Sequence, residues 1–382
     1  MTNKSTKNPQ TASDLQGASK LVVDAVRGVT DIVEDMHRTI MGLSPIVGQA
    51  TTGRTKGITG LVYRSVRGVT QAVGLALDAG LAQMSPLFHG RGALPHREAM
   101  QAAVNGVLGD YLVASMNPLA IPMPLRQHGK PLVLEGQTGG KLLVLVHGLC
   151  MNDLQWLRDG HDHGASLAQD LGYTPVYLHY NTGRPIALNG QEFADALEQL
   201  VKDWPVRVSE LAIVGHSMGG LVTRSACGFA KEARHAWLGR LKKLVFLGTP
   251  HHGAPLERAG SWLDFLLGVS PYSAPLARLG LVRSAGIKDL RHGKVRGKDL
   301  PDQALLPARV KCFVVAATQS EVAGKRLQGD GLVPVNSALG HHKDPAMSLP
   351  IPAARQCVVY ATDHFDLLSS PVVYQQLKHW LA

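Results

Sequence analysis

Apolar positions near the start of the chain recur in steps of four and three: Val22, Val26, Val29, Val33, Met36 and Ile40, then Val62, Val66, Val69, Val73 and Ala76. Such steps keep side chains on one stripe of a 3.6-residue helix, so each run predicts an amphipathic helix. The string VRGVT falls within both stripes, at Val26–Thr30 and Val66–Thr70, and Gly42, Pro45, Gly48, Gly53 and Gly57 between them predict a turn. The expected unit is an N-terminal helical hairpin behind a polar, disordered tail at residues 1–19. A third helix is predicted over Arg97–Ser115, after Pro95 and before Asn117–Pro118.

From Leu119 the pattern changes. Leu119–Leu125 and Pro131–Leu134 predict two strands joined by a turn at His128–Gly129. Six apolar runs follow, at Leu142–Val146, Thr174–Leu178, Glu210–Val214, Lys243–Leu247, Val310–Ala316 and Gln356–Tyr360. Runs of this kind are buried on both faces, as in a parallel sheet covered by helices. Helical segments alternate with them at Gly164–Leu171, Gln191–Asp203, Gly219–Ala233 and Val372–Leu381. The pattern predicts a mostly parallel, doubly wound α/β sheet. Residues 251–309 are too long for a simple connection, and Trp262, Phe265, Leu266 and Leu267 at helical spacing make them a lid or cap insert. The expected division is a tail at 1–19, an N-terminal helical region at 20–117, and an α/β domain at 118–382 carrying the lid at 251–309.

Charge and composition narrow the function. The net charge is +10, but Lys and Arg are scattered and never interleave with aromatic residues, so nucleic acid is not an expected partner. For the hairpin, packing against itself or the main domain is favoured over contact of residues 20–85 with an anionic lipid surface. Residues 1–20 are polar, with no apolar run like that of a secretory signal, and no apolar stretch is long enough to span a bilayer. The expected location is the cytoplasm, with peripheral lipid contact as the variant. Cys150, Cys227, Cys312 and Cys357 have no metal-like spacing and are expected as reduced thiols, with Cys312 and Cys357 close enough in strand order for an incidental disulfide.

The chemistry centres on Leu211–Leu221, which contains Gly-His-Ser-Met-Gly at 215–219, a G-x-S-x-G motif between a strand and a helix. A sharp strand-to-helix turn would lift the Ser217 hydroxyl clear of the sheet and aim the helix N-terminus at a developing oxyanion. A hydroxyl needs an adjacent base. His364 follows the last strand and is better placed than His341, His342 or His379. For the acid, Asp330 between Gly329 and Gly331 is preferred, with Glu321 in reserve; Asp363 and Asp366 read as solvated or loop-capping. Two backbone donors are needed for the oxyanion: the amides of Met218, after the nucleophile, and Leu149, in the His147–Gly148 turn. His251 or His252 lines the pocket or stiffens its own loop. His161 and His163 are a loop entering a helix rather than a metal pair, and His216 is a packing residue.

VHGL, GHSMGG, GTPHHGA and GDGLVP, followed by DHFDLL, resemble the lipase-type α/β-hydrolases related to GPI inositol-deacylases, over roughly Leu119 to the C-terminus. The resemblance implies an α/β-hydrolase fold and hydrolysis of esters, often lipid-like acyl esters, with no metal or organic cofactor. It places Ser217 as nucleophile, Asp330 as acid, His364 as base, and Leu149 and Met218 as oxyanion donors. A thioesterase, an intracellular polyester depolymerase or an acyltransferase would use the same residues. The rival from another class is a lipid- or granule-binding protein working through the N-terminal helices.

Overall fold

The computed structural model describes Lys20 and residues 94–253, 284–295, 306–321 and 329–382. The tail, the repeat-bearing hairpin and most of the lid insert fall outside the described residues. Contacts divide the chain into two units, one of which comprises residues 93–113 and 120–382 and holds the sheet. Helix α1 (Leu94–Ala114) opens it, over nearly the span expected for the third helix.

Eight strands follow: β1 (Leu125–Gln127), β2 (Lys130–Pro131), β3 (Lys141–Val146), β4 (Thr174–Leu178), β5 (Glu210–His216), β6 (Leu241–Leu247), β7 (Lys311–Ala317) and β8 (Gln356–Val359). Helices α2 (His163–Leu171), α3 (Ile186–Asp203), α4 (Met218–Ala233), α5 (Ala285–His292), α6 (Val335–Ala338) and α7 (Pro371–Leu381) lie between and after them. The strand order is β2-β1-β4-β3-β5-β6-β7-β8. β3 to β8 run parallel, and β1 is antiparallel to both of its neighbours. This is the mostly parallel, doubly wound α/β sheet the alternating pattern predicts.

The first hairpin turns where expected, with His128 and Gly129 both at positive φ (51° and 71°), but its strands are shorter and shifted. Pro122 and Pro124 lack the N–H a ladder needs, so pairing starts only at Leu125. Helix α3 begins earlier than Gln191. Its first amide, Ile186 N, is satisfied by the Asp289 carboxylate of α5 at 3.0 Å, a cap from far along the chain that no local pattern announces.

The connection from β3 runs to β4 on one side, whereas β5, β6, β7 and β8 build out on the other. Right-handed crossovers then put α2 on one face and α3 and α4 on the other, and α3 packs against α4 as α7 does against α2. β3, β5 and β7 are buried at every residue after the first, and β6 is buried from Leu244 to Leu247. Register aligns the strand ends: Val146 pairs with Gly215, His216 with Leu247, Leu247 with Val315, and Ala317 with Val359. The loops after these strands therefore gather at one edge of the sheet. The order reverses between β3 and β5, and open α/β sheets bind ligands in the crevice at such a switch point.

Candidate active site

Ser217 sits between the last residue of β5 and the first of α4, with φ 54° and ψ −125°. That backbone is strained for a residue bearing a Cβ, and it is held from both sides. The Ser217 amide donates to Leu247 O at 2.8 Å, and its carbonyl accepts from Gly220 N at 3.1 Å. The elbow closes only because Gly219 has no side chain: a Cβ there would lie 2.2 Å from Val146 O. Helix α4 thus starts directly over the end of β3.

The loop after β3 comes in from the neighbouring strand. A Cβ on its Gly148 would lie 3.0 Å from Ser217 Cβ, which places Leu149 beside the Ser217 elbow. Among the described residues, neither the Leu149 nor the Met218 amide donates a hydrogen bond to the protein.

His364 and Asp330 meet from the loops after β8 and β7. His364 Nδ1 lies 2.7 Å from Asp330 Oδ2, and both residues are fully buried. The other carboxylate oxygen is occupied, since Oδ1 accepts from Leu332 N at 2.9 Å and Val333 N at 2.7 Å. The two loops are also joined by His364 N donating to Asp330 O at 3.1 Å. With a carboxylate at Nδ1, that nitrogen carries the proton and Nε2 presents a lone pair. Nε2 is buried and makes no hydrogen bond to the protein, so Ser217 Oγ is not bonded to it in this structure. Such bonds often tighten only when substrate is bound.

The competing residues fall elsewhere. Glu321 is exposed, as are His341, His342 and His379. Asp363 caps its own turn, accepting from Phe365 N and Asp366 N at 2.8 Å each. His251 points inward, 3.4 Å from Arg224 and edge-on to Phe246, and His252 donates to Gly340 O at 3.1 Å. That loop is held rigid by its neighbours. His161 and His163 bond to each other at 2.8 Å, and His163 Nε2 continues to Leu367 O at 3.0 Å. The pair therefore staples the turn that follows His364. All four cysteines are unpaired thiols.

His216 does more than pack. Its Nε2 donates to the His364 carbonyl at 3.0 Å, and the two rings are 4.7 Å apart. Burial holds its pKa well below the usual histidine range, so it stays neutral and acts as a tether. Its place next to Ser217 in the sequence gave no hint of a bond across 148 positions.

Residues 137–300 match the family model described as a PGAP1-like alpha/beta domain. Among solved structures, the mature lipase BlEst2 of Bacillus licheniformis is similar at 19% identity and TM-score 0.45, covering 68% of this chain and 98% of its own. A thermophilic esterase from Thermogutta terrifontis is similar at 17% identity and TM-score 0.38, covering 68% and 92%. No curated protein sequence matches the chain.

Proposed function

We propose that the protein is a serine hydrolase that cleaves carboxylic esters through Ser217, His364 and Asp330. The observation that carries this reading is convergence at one sheet edge: Ser217 on a strained strand-to-helix elbow, and a buried Asp330–His364 pair bonded at 2.7 Å. The match of residues 137–300 to a PGAP1-like alpha/beta domain supports it.

The chemistry follows from the atoms present. His364 Nε2 takes the proton of Ser217 Oγ as the oxygen attacks the ester carbonyl carbon. Asp330 stabilises the imidazolium and, with Oδ1 pinned by two amides, cannot turn away from it. The carbonyl oxygen becomes an oxyanion facing the amides of Leu149 and Met218 at the N-terminus of α4. Collapse expels the alcohol, which receives the proton from His364. Water, deprotonated by the same Nε2, then attacks the acyl-enzyme and releases the carboxylic acid.

A hydrophobic acyl group is the substrate class that the apolar residues Trp262, Phe265, Leu266 and Leu267 of the insert support. Lipid-surface contact through residues 20–85 would suit such a substrate, and no helix among the described residues is long and apolar enough to cross a membrane. The test is a series of p-nitrophenyl esters of rising chain length together with a fluorophosphonate probe. Turnover and labelling are expected in the parent, and Ser217→Ala is expected to abolish both. Residual turnover within a few-fold of the parent would overturn the assignment, since loss of a triad member costs orders of magnitude.

A further inference from the structure

The Leu149 amide can serve an oxyanion only if its peptide plane is held still, and the loop that carries it is not built to hold itself. Leu149 is followed by Cys150 at φ 60°, a left-handed backbone that a side-chain-bearing residue adopts reluctantly. Within the loop, Met151 N reaches Gly148 O at 3.3 Å. The firmer contacts come from outside. Tyr180, after β4, donates from its hydroxyl to His147 O at 2.8 Å, and Thr182 Oγ1 accepts from Cys150 N at 3.1 Å. These two bonds grip the chain on either side of the Gly148–Leu149 peptide.

The remaining wall is α1. The Cys150 thiol, whose pKa burial raises to about 12, stays protonated and lies 3.9 Å from Ala103 O. One turn on, Gly106 faces the same residue so closely that a Cβ would sit 2.3 Å from Cys150 Sγ and 3.0 Å from its Cα. The helix is itself fixed to the loop that supplies Thr182: Asn181 Nδ2 donates to Gly109 O at 3.0 Å. It is fixed again to the start of α5, where Ser284 Oγ donates to Gly106 O at 2.7 Å and Ala285 N to Asp110 Oδ2 at 2.9 Å. Helix α1 also lies outside residues 137–300, the span that matches the family model.

We propose that α1 is a positioning element of the hydrolytic site, in which Gly106, against Cys150 and together with Thr182, sets the direction of the Leu149 amide. The inference rests on the reading of Leu149 as an oxyanion donor. The Leu149 N–H is rigidly opposed to Gly148 O across their trans peptide, and Met151 N, the residue after Cys150, holds that oxygen, so a push on Cys150 turns the Leu149 amide away from the point where charge develops. No contact with the substrate is involved.

The test compares Gly106→Ala, Thr182→Val, Thr182→Ser and the double variant Gly106→Ala/Cys150→Gly in the full chain. Each is measured for kcat and KM on a soluble short-chain ester, for the rate of fluorophosphonate labelling, and for thermal midpoint. Alanine favours a helix over glycine, so a fall in kcat at Gly106→Ala would not come from a weakened helix. We expect Gly106→Ala to lower kcat and the labelling rate by about ten- to a hundredfold, with KM changed less than about twofold. The double variant, which removes Sγ and gives position 150 freedom at positive φ, regains most of the loss. Thr182→Val falls by about tenfold, and Thr182→Ser, which keeps the acceptor, recovers most of that loss. Parental kcat in folded Gly106→Ala and Thr182→Val would overturn the proposal, as would a loss that Cys150→Gly does not relieve. Should Gly106→Ala fail to fold, the Thr182 pair decides. A parent chain that is neither labelled at Ser217 nor able to turn over any ester would sink the hydrolase reading and this inference with it; an active parent with unaffected variants sinks only the inference.

Discussion

Replacing Ser217 by glycine should stabilise the protein while abolishing catalysis. At φ 54° and ψ −125°, a residue with a Cβ carries strain of about 1–3 kcal/mol, which glycine does not. Glycine returns roughly 0.5–1 kcal/mol through the greater freedom of the unfolded chain. Little else is lost, because Ser217 makes no side-chain cap bond to α4 and its side chain is only a hydroxymethyl group. The net gain should be about 1 kcal/mol, or about 2 °C in thermal midpoint for a chain of this size. Ser217→Ala keeps the Cβ and therefore the strain, so its stability should stay within about 0.5 kcal/mol of the parent. Both variants should lose activity by about 10⁶-fold. Urea unfolding of the three proteins side by side measures the effect, read from the midpoints at constant slope. A glycine variant no more stable than the alanine variant would mean that the elbow stores no strain, and the reasoning would fail.

Asp330→Asn should lower kcat by about 10⁴-fold, because an amide donating to Nδ1 forces the proton onto Nε2, the atom that must accept from Ser217. Glu321→Gln, at an exposed position, should leave kcat within about twofold of the parent; the reverse pattern would move the acid to Glu321. Burial lowers His147 to about 3 and His163 to about 4, so both are neutral when folded and take up protons on unfolding below pH 6.5. Their folded pKa values lie below the unfolded ones, so this stability is fully present above 6.5 and is lost as pH falls toward 4 and 3. Between pH 7.5 and 5.5 the unfolding free energy should drop by about 1 kcal/mol for each of them. His163→Gln should remove its share of that slope, and an unchanged slope would show that His163 is not neutral in the folded chain.

What could be read from the sequence divides along a physical line. Central strands buried on both faces write themselves as unbroken apolar runs, so β3 to β7 match their predicted runs within two residues, and the half-buried edge strand β8 matches its run within one. The strand-to-helix elbow at Ser217 is legible because its glycines serve a turn made by adjacent residues. Asp330 stood out for a related reason: Gly329 and Gly331, at φ 92° and 97°, let the carboxylate turn inward. The features that escaped are bonds between distant segments. The early start of α3 depends on Asp289, and the tether on the base loop joins His216 to a carbonyl at the far end of the chain. Helix α1 spans nearly the residues expected of the third helix. Its own apolar spacing carries no sign that Gly106 would face Cys150, since a glycine within a helix looks locally like a flaw rather than a contact.

These distant bonds are spread unevenly over the site, and the unevenness bears on how the chain would work. The half proposed for acid–base work is tied at every atom that must not move: Asp330 Oδ1 by two amides, Oδ2 by His364, and the His364 backbone by both His216 and Asp330. In the proposed mechanism charge appears on His364 in each proton transfer, and a carboxylate already turned toward it needs no reorganisation at that moment. The bond from Ser217 Oγ to Nε2 is the contact still to be made. In the proposed mechanism it forms next to an elbow whose backbone is held by Leu247 O and Gly220 N. The oxyanion half is different, because its Leu149 amide lies in a loop held by Tyr180, Thr182 and α1 rather than by the sheet. Under the proposed roles, changes near Asp330 and His364 should act on proton transfer and shift the pH profile of kcat. Changes at Gly106 or Thr182 should lower kcat equally at every pH, because they alter where an amide points and not what any group titrates.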